Sequence, residues 1–132
     1  MVSWTWKDSE IESDYKPKES SFGFVYEITY TNGKKYIGAK QFWSTVRLKP
    51  LKTQRKNAVR TKTAMSKWYR YVGSSKLTAG LEIAKREILI IAKSKRELTY
   101  LECRELFSRR VLEHDEYLNE NVLGKFYRNV RS

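Results

Sequence analysis

The chain has 132 residues, the size of one ordinary domain, and 40% of them are hydrophobic. Aromatic residues make up 14%, which supplies material for a core and argues against a disordered chain. Lys and Arg number 27 against 15 Asp and Glu, and the resulting net charge of +12 is most often tolerated where the partner is a polyanion.

Several chemistries lack their residues in this sequence. Cys103 is the only cysteine, so we expect no intramolecular disulfide and no cysteine-based zinc site. His114 is the only histidine, which excludes zinc chemistry that needs two histidines. Neither phosphate-binding glycine motif occurs, so we expect no nucleotide cofactor. There is no signal-peptide pattern and no apolar run of about 18 residues, so we expect no membrane association and a cytoplasmic location.

The first part of the chain predicts an arm followed by a β-hairpin. Residues 1–21 are polar, and we interpret them as an N-terminal arm preceding a single domain over residues 22–132. Phe22–Tyr30 is rich in β-branched and aromatic residues, and Asn32-Gly33 is typical of a two-residue hairpin turn. The extended pattern then resumes at residues 35–39, which completes the hairpin.

A basic run follows the hairpin. Residues 44–67 contain eight Lys and Arg and no acidic residue, and we predict a basic insertion at about 44–72. Such a run is often only a solvated loop, or a short helix that faces an anion. Here large aromatic residues are interleaved with it, as in grooves that bind nucleic acid: Trp43, Trp68, Tyr69 and Tyr71. We therefore predict DNA contacts by Lys40, Arg55, Lys56, Arg60, Lys62, Lys67 and Arg70.

A strand and a helix are predicted in the second half. Glu87–Ala92 has the length and branching of a buried strand, and a capping box at Ser94 begins a helix that runs to about His114. Glu102 lies beside the apolar surface of this helix, where a carboxylate is costly unless it is paired or binds a cation. The simpler interpretation is an acid at the edge of the core that pairs with one of the arginines, and the alternative is a metal ligand. The same two interpretations apply to Glu105.

The hairpin carries two short motifs. Val25-Tyr26 lies on the first strand and Tyr36-Ile37-Gly38 on the second, with the two tyrosines ten residues apart. An isolated strand tyrosine is usually a core or stacking residue, but the paired motifs resemble those of the GIY-YIG nuclease family. The similarity is greatest to its small, freestanding, phage-type and homing-like endonucleases. Phe24 stands where the first motif of that family has glycine.

This resemblance covers residues 23–119 and implies both a fold and an activity. The expected fold is α+β, a three-stranded antiparallel sheet with flanking helices. The expected activity is hydrolysis of phosphodiester bonds in double-stranded DNA, with one Mg²⁺ or Mn²⁺ ion bound by Glu102.

The resemblance also assigns the remaining catalytic roles. Tyr26 or Tyr36 would orient or deprotonate the attacking water. Arg47 would stabilise the charged phosphate, and Asn119 would hold the site together by hydrogen bonds. The alternatives for the role of Arg47 are Arg55, Arg60, Arg70 and Lys40.

Two other functions stay open at this point. The chain could be a DNA-binding module that keeps the nuclease scaffold without its activity, and metal-dependent nicking of a plasmid distinguishes these two cases. It could also be a basic phage protein that inhibits a host enzyme by occupying its nucleic-acid groove. Capture of one host protein without nucleic acid would indicate that function.

Overall fold

The computed structural model describes residues 2–12, 15–53, 55, 60–71, 78 and 80–128. A 3-10 turn, Trp68–Arg70, precedes the seventh strand. The elements in chain order are β1 (Trp4–Trp6), β2 (Ser9–Ile11), β3 (Gly23–Tyr30), β4 (Lys35–Gln41), β5 (Trp43–Leu48), β6 (Arg60–Met65), β7 (Ile83–Ala92), α1 (Lys95–Ser108), β8 (Asn121–Val122) and β9 (Phe126–Tyr127). No helix among the described residues has the length and apolar character needed to cross a membrane.

Five strands form one mixed sheet in the order β2-β1-β7-β3-β4, with β1 parallel to β7 and the other pairs antiparallel. The α+β class is confirmed, but the prediction of three antiparallel strands is wrong. Residues 4–11 add two strands, because Trp4 is fully buried in the core and draws the first strand onto the sheet. The segment interpreted as a polar arm thus contains part of the sheet. The described residues also form one α-helix where several flanking helices were expected.

The predicted hairpin is confirmed as β3 and β4. Gly33 occupies the turn with a φ of 85°, and the Asn32 side chain accepts a hydrogen bond of 2.9 Å from the Lys34 backbone N–H. Tyr26 lies opposite Gly38, and Ile28 lies opposite Tyr36. This register places both motif tyrosines on the same face of the sheet, as diagonal neighbours.

Each face of the sheet has its own core, because side chains alternate along β3 and β4. One face carries an aromatic cluster whose largest buried members are Trp4, Trp68, Tyr26, Tyr30, Phe24 and Phe42. The other face packs against α1 through a second set of buried residues that includes Val25, Ile37, Leu98, Leu101 and Leu106. The motif tyrosines therefore lie on the face opposite the helix.

The helix begins where the sequence predicts and ends earlier. The Ser94 hydroxyl accepts a hydrogen bond of 3.1 Å from the Glu97 N–H, which confirms the capping box. The helix ends at Ser108 rather than at about His114, because Arg110 adopts a left-handed conformation with a φ of 53°. Val111 then donates to the Leu106 carbonyl and is fully buried, so the chain leaves the helix toward the core.

The basic run forms a separate two-stranded ribbon of β5 and β6, where a loop or short helix was expected. Its Thr and Val residues favour extended backbone, which the charge pattern concealed. Residues 54 and 56–59, and with them the predicted DNA contact Lys56, lie outside the described residues.

A buried arginine joins three parts of the fold. Arg86 on β7 is fully buried, and its guanidinium donates hydrogen bonds to the carbonyl oxygens of Val2, Tyr69 and Tyr71, at 2.8 Å to Tyr69 and 3.0 Å to Tyr71. It also lies 4.8 Å from the centre of the Trp4 ring. Within the described residues it forms no ion pair, so carbonyl dipoles and the ring replace its hydration.

Replacing Arg86 by Met keeps an apolar stem of similar length but removes every one of these donors. The Val2 and Tyr71 carbonyls lose these donors, whereas the Tyr69 carbonyl keeps the hydrogen bond from the Trp4 indole. Because an unsatisfied polar group costs about 1–3 kcal/mol, we expect a loss of about 3 kcal/mol in the free energy of unfolding by urea. The control is Lys85→Met on the same strand, an exposed position that we expect to change stability by less than about 0.5 kcal/mol. Equal stability of the two variants would contradict the structural role of Arg86.

Candidate active site

A cavity of about 410 Å³ opens between the edge of β4, helix α1 and the segment that leads to β8. It brings together three of the five predicted catalytic residues, Tyr36, Glu102 and Asn119. The other lining residues are Ile37, Cys103, Leu106, Glu120, Asn121, Leu123 and Gly124. Tyr26 and Arg47 do not line it.

Asn119 closes the free edge of β4. Its side-chain oxygen accepts a hydrogen bond of 3.0 Å from the Ile37 N–H, and its side-chain nitrogen donates one of 2.7 Å to the Ile37 carbonyl. The same edge is paired two residues earlier along β4, where the Leu118 N–H donates a hydrogen bond of 2.7 Å to the Lys35 carbonyl. The amide of Asn119 thus stands in for a neighbouring strand and fixes the backbone between Tyr36 and Gly38.

The structure separates the two acids that the sequence left equivalent. Glu105 accepts a hydrogen bond of 3.0 Å from Arg109, which also pairs with the buried Glu27 at 2.6 Å. Glu102 lines the cavity, and it makes no hydrogen bond or ion pair with any residue that the structure describes. Burial raises the pKa of its carboxyl above the ordinary value. An ionised carboxylate in this place lacks a partner, and a cation would supply one.

The two motif tyrosines differ in their access to the cavity. Tyr36 is half-buried and lines it, whereas Tyr26 is only 1% exposed, and the ring centres lie 6.5 Å apart. Burial raises the pKa of both hydroxyls, and the nearby Tyr71 adds to the effect in each. Neither phenol therefore loses its proton readily without a neighbouring cation.

The glycine of the second motif makes room for Tyr26. A Cβ atom built at Gly38 would lie 2.6 Å from Cζ of Tyr26, far closer than atoms can pack. Tyr26 in turn contacts Tyr71 edge to face, with the ring centres 5.7 Å apart. In the sequence Tyr71 belongs with the aromatic residues of the basic run, and its place beside the motif tyrosines could not be predicted because only the fold brings them together.

The candidate cations are distributed outside the cavity. Arg47 is exposed on β5, and Arg60 donates to the Lys49 carbonyl at 2.9 Å at the far end of the ribbon. Lys40 lines a neighbouring depression of about 310 Å³, with its ammonium 4.9 Å from the Tyr71 ring centre. The other described candidates are exposed: Arg55, Lys62, Lys67 and Arg70. None of the described residues that line the main cavity is Lys or Arg.

The donor set of the cavity suits a hard cation. Among the described residues, no group of three or more His, Cys, Asp and Glu could hold a metal ion by itself. Mg²⁺ is commonly bound through one or two carboxylates, with water and substrate phosphates completing its shell. Glu102 fits the first requirement, and Glu120, which sequence reasoning missed, lines the same cavity as a second carboxylate.

A comparison with protein families identifies the scaffold. The family model described as "Putative endonuclease segE, GIY-YIG domain" matches residues 4–122. The chain belongs to the GIY-YIG family. The match begins in β1, so the GIY-YIG domain includes the N-terminal strands, and it extends over α1 and Asn119. Searches of curated proteins and of solved structures found no match.

The contact between Gly38 and Tyr26 predicts a specific coupling. Gly38→Ala forces the Tyr26 ring to move, and we expect a loss of about 1–3 kcal/mol in the free energy of unfolding, as is typical of overpacking. In a Tyr26→Ala background the same change should cost at least about 1 kcal/mol less, because the obstructing ring is gone. Urea unfolding of the four proteins measures this coupling, and additive effects would contradict the contact.

The burial of Glu102 predicts a pH dependence of stability. An acid whose pKa is raised by folding holds its proton more tightly in the folded state, so its ionised form lowers stability at higher pH. Glu102→Gln should therefore unfold at higher urea than the wild type at about pH 7 in the absence of metal. The difference should disappear at about pH 4, below the ordinary value of 4.5. A difference that persists unchanged at low pH would show that the effect is not the charge.

Proposed function

We propose that this GIY-YIG domain is a metal-dependent endonuclease that hydrolyses phosphodiester bonds in double-stranded DNA. The observation that carries the proposal is the half-buried carboxylate of Glu102, which has no partner among the described residues and shares a cavity with Tyr36 and Asn119. A stability-driven sequence would pair this acid or replace it, as it pairs Glu105. A carboxylate without a described partner, next to a tyrosine, can bind a cation that in turn binds a phosphate.

The charge distribution supports DNA as the substrate. No acidic residue occurs between Glu27 and Glu82, a stretch that includes β4 and the ribbon. Neutralisation of several phosphates by such a surface releases counterions and provides most of the affinity for a duplex. The described residues that line the cavity include two acids and neither Lys nor Arg, so the phosphate and the cation enter it together.

Each residue has a definite task in this proposal. Glu102 would hold a divalent ion, which would supply neutralisation of the charge that develops on the phosphate and on the leaving oxygen. The Tyr36 hydroxyl orients the attacking water, and Asn119 fixes the strand that carries Tyr36. Tyr26 supports Tyr36 from the buried side. Lys40 lies on the same face of β4 as Tyr36, two residues beyond Gly38, and contacts the phosphate in this proposal.

The decisive experiment compares Glu102→Gln with the wild type on supercoiled DNA. The variant keeps the shape of the side chain and loses its charge, so cleavage should fall by at least about 10²-fold at every Mg²⁺ and Mn²⁺ concentration. DNA binding should stay at least as tight, because a negative charge near the phosphates is gone. Added Mg²⁺ should raise the unfolding temperature of the wild type and leave that of the variant unchanged.

Glu105→Gln is the matched control, since it makes the same chemical change one helical turn away. It breaks the pair with Arg109 and should lower stability, while the folded protein cleaves at the wild-type rate. Cleavage that survives in both variants would remove α1 from the mechanism. Tight DNA binding by a wild type that does not cleave would instead indicate a binding module on the nuclease scaffold.

A further inference from the structure

The ribbon of β5 and β6 is separate from the five-stranded sheet. Among the described residues, each of these strands pairs only with the other, and the positions along both strands are mostly exposed. An isolated two-stranded hairpin is at best marginally stable in water. The exposed side chains include Val46 and Met65, at 37% and 43%. The marginal stability of an isolated hairpin and the exposed apolar side chains both make the ribbon a candidate binding surface.

The ribbon is nevertheless firmly attached to the domain. At its base the Trp43 indole donates a hydrogen bond of 2.7 Å to the Ser21 carbonyl, and the Ser66 hydroxyl donates one of 2.6 Å to the Gln41 carbonyl. The hydrogen bond from Arg60 to the Lys49 carbonyl is internal to the ribbon, at its other end. The two bonds at the base connect the ribbon to Ser21, which precedes β3, and to the last residue of β4, the strand that carries Tyr36.

The register gives the ribbon two chemically different faces. Thr45 lies opposite Thr63, and Arg47 lies opposite Thr61, so these four exposed side chains share one face, here called the Arg–Thr face. Every member can form hydrogen bonds. The opposite face carries Val46 beside Lys62, and Leu48 beside Arg60. Trp43 and Met65 lie on the same side as the Arg–Thr face, at the base of the ribbon. Charge is therefore present on both faces, but the four adjacent hydrogen-bonding side chains are on one.

We propose that the ribbon enters the major groove of the DNA substrate with the Arg–Thr face toward the base edges. The major groove is about 12 Å wide and admits a two-stranded β-ribbon. Arg is the commonest donor to the O6 and N7 atoms of guanine, and Thr contacts several bases. Six residues of strand extend about 20 Å, enough to cross several base pairs. The substrate class rests on the proposed function.

Charge favours DNA over a second copy of this chain as the occupant. Two ribbons that paired edge to edge would bring like charges together, whereas a duplex neutralises them. The proposal assigns Arg47 to base recognition, in contrast to the phosphate-stabilising role that the family resemblance implies. Substitution of Arg47 would lower the selectivity between sequences if it recognises bases, and it would lower turnover on every sequence if it stabilises the phosphate.

The test measures binding of the full chain without metal, so that it does not depend on cleavage. A preferred duplex is first selected from a randomised DNA library, and affinities for it and for a scrambled duplex are then compared. Arg47→Gln should reduce the ratio of the two affinities by about tenfold or more. Lys62→Gln, the same loss of charge on the other face, should weaken both affinities equally. Methylation of guanine N7 in the preferred duplex should abolish the preference of the wild type.

The outcomes separate the two proposals. Absence of any preferred sequence, or equal loss on both duplexes in the two variants, overturns the assignment of the Arg–Thr face. A dimer of the wild type that Arg47→Gln dissociates without altering the affinity ratio would overturn it as well. Selective binding by a protein that never cleaves DNA leaves the ribbon assignment standing and refutes the nuclease. Thr45→Val/Thr61→Val keeps β-branched side chains and should lower selectivity even if Arg47→Gln proves unstable.

Discussion

The buried guanidinium of Arg86 is the interaction on which the arrangement of this domain depends. It comes from the central strand β7, and its acceptors are backbone carbonyls of the N-terminal segment and of the residues around the 3-10 turn. Because those acceptors are main-chain atoms, the hydrogen bonds hold the path of the backbone and do not depend on the side chains of the acceptor residues. One of them belongs to Tyr71, whose ring packs on Tyr26. A constraint set inside the sheet thus reaches the residues of the candidate site.

The location of the site follows from the edge of the sheet. In the middle of a sheet, side chains on opposite faces are separated by the strands, but at an edge they can approach each other around it. Strand β4 is such an edge, and Tyr36 on one face and Glu102 on the helix of the other face line a common cavity. The cost of an open edge is unpaired backbone, and Asn119 offsets it at Ile37. The hydrogen bonds that protect this edge therefore also shape the candidate site.

The sequence predicted what depends on local chemistry. The Asn32-Gly33 turn, the two motif strands, the cap at Ser94 and a costly carboxylate at Glu102 all follow from neighbouring residues. Long-range pairing was missed: nothing near Trp4 shows that it meets β7. Charged residues were misleading in two places. Arg86 resembles a surface residue in the sequence but is buried, and the charges of the basic run concealed two strands that contain Thr and Val. Glu120 and Tyr71 join the site only through the folded chain.

The parallel pairing of Trp4 with Arg86 also determines the order in which the protein can be completed as it leaves the ribosome. The hairpin of β3 and β4 needs only adjacent residues and can form early. Strand β1 pairs with the adjacent β2, but the strand that joins it to the rest of the sheet is β7, which is synthesised some eighty residues later. Glu102 and Asn119 appear later still. The sheet can therefore include β1 only after β7 has been made, and the cavity at β4 is completed after both.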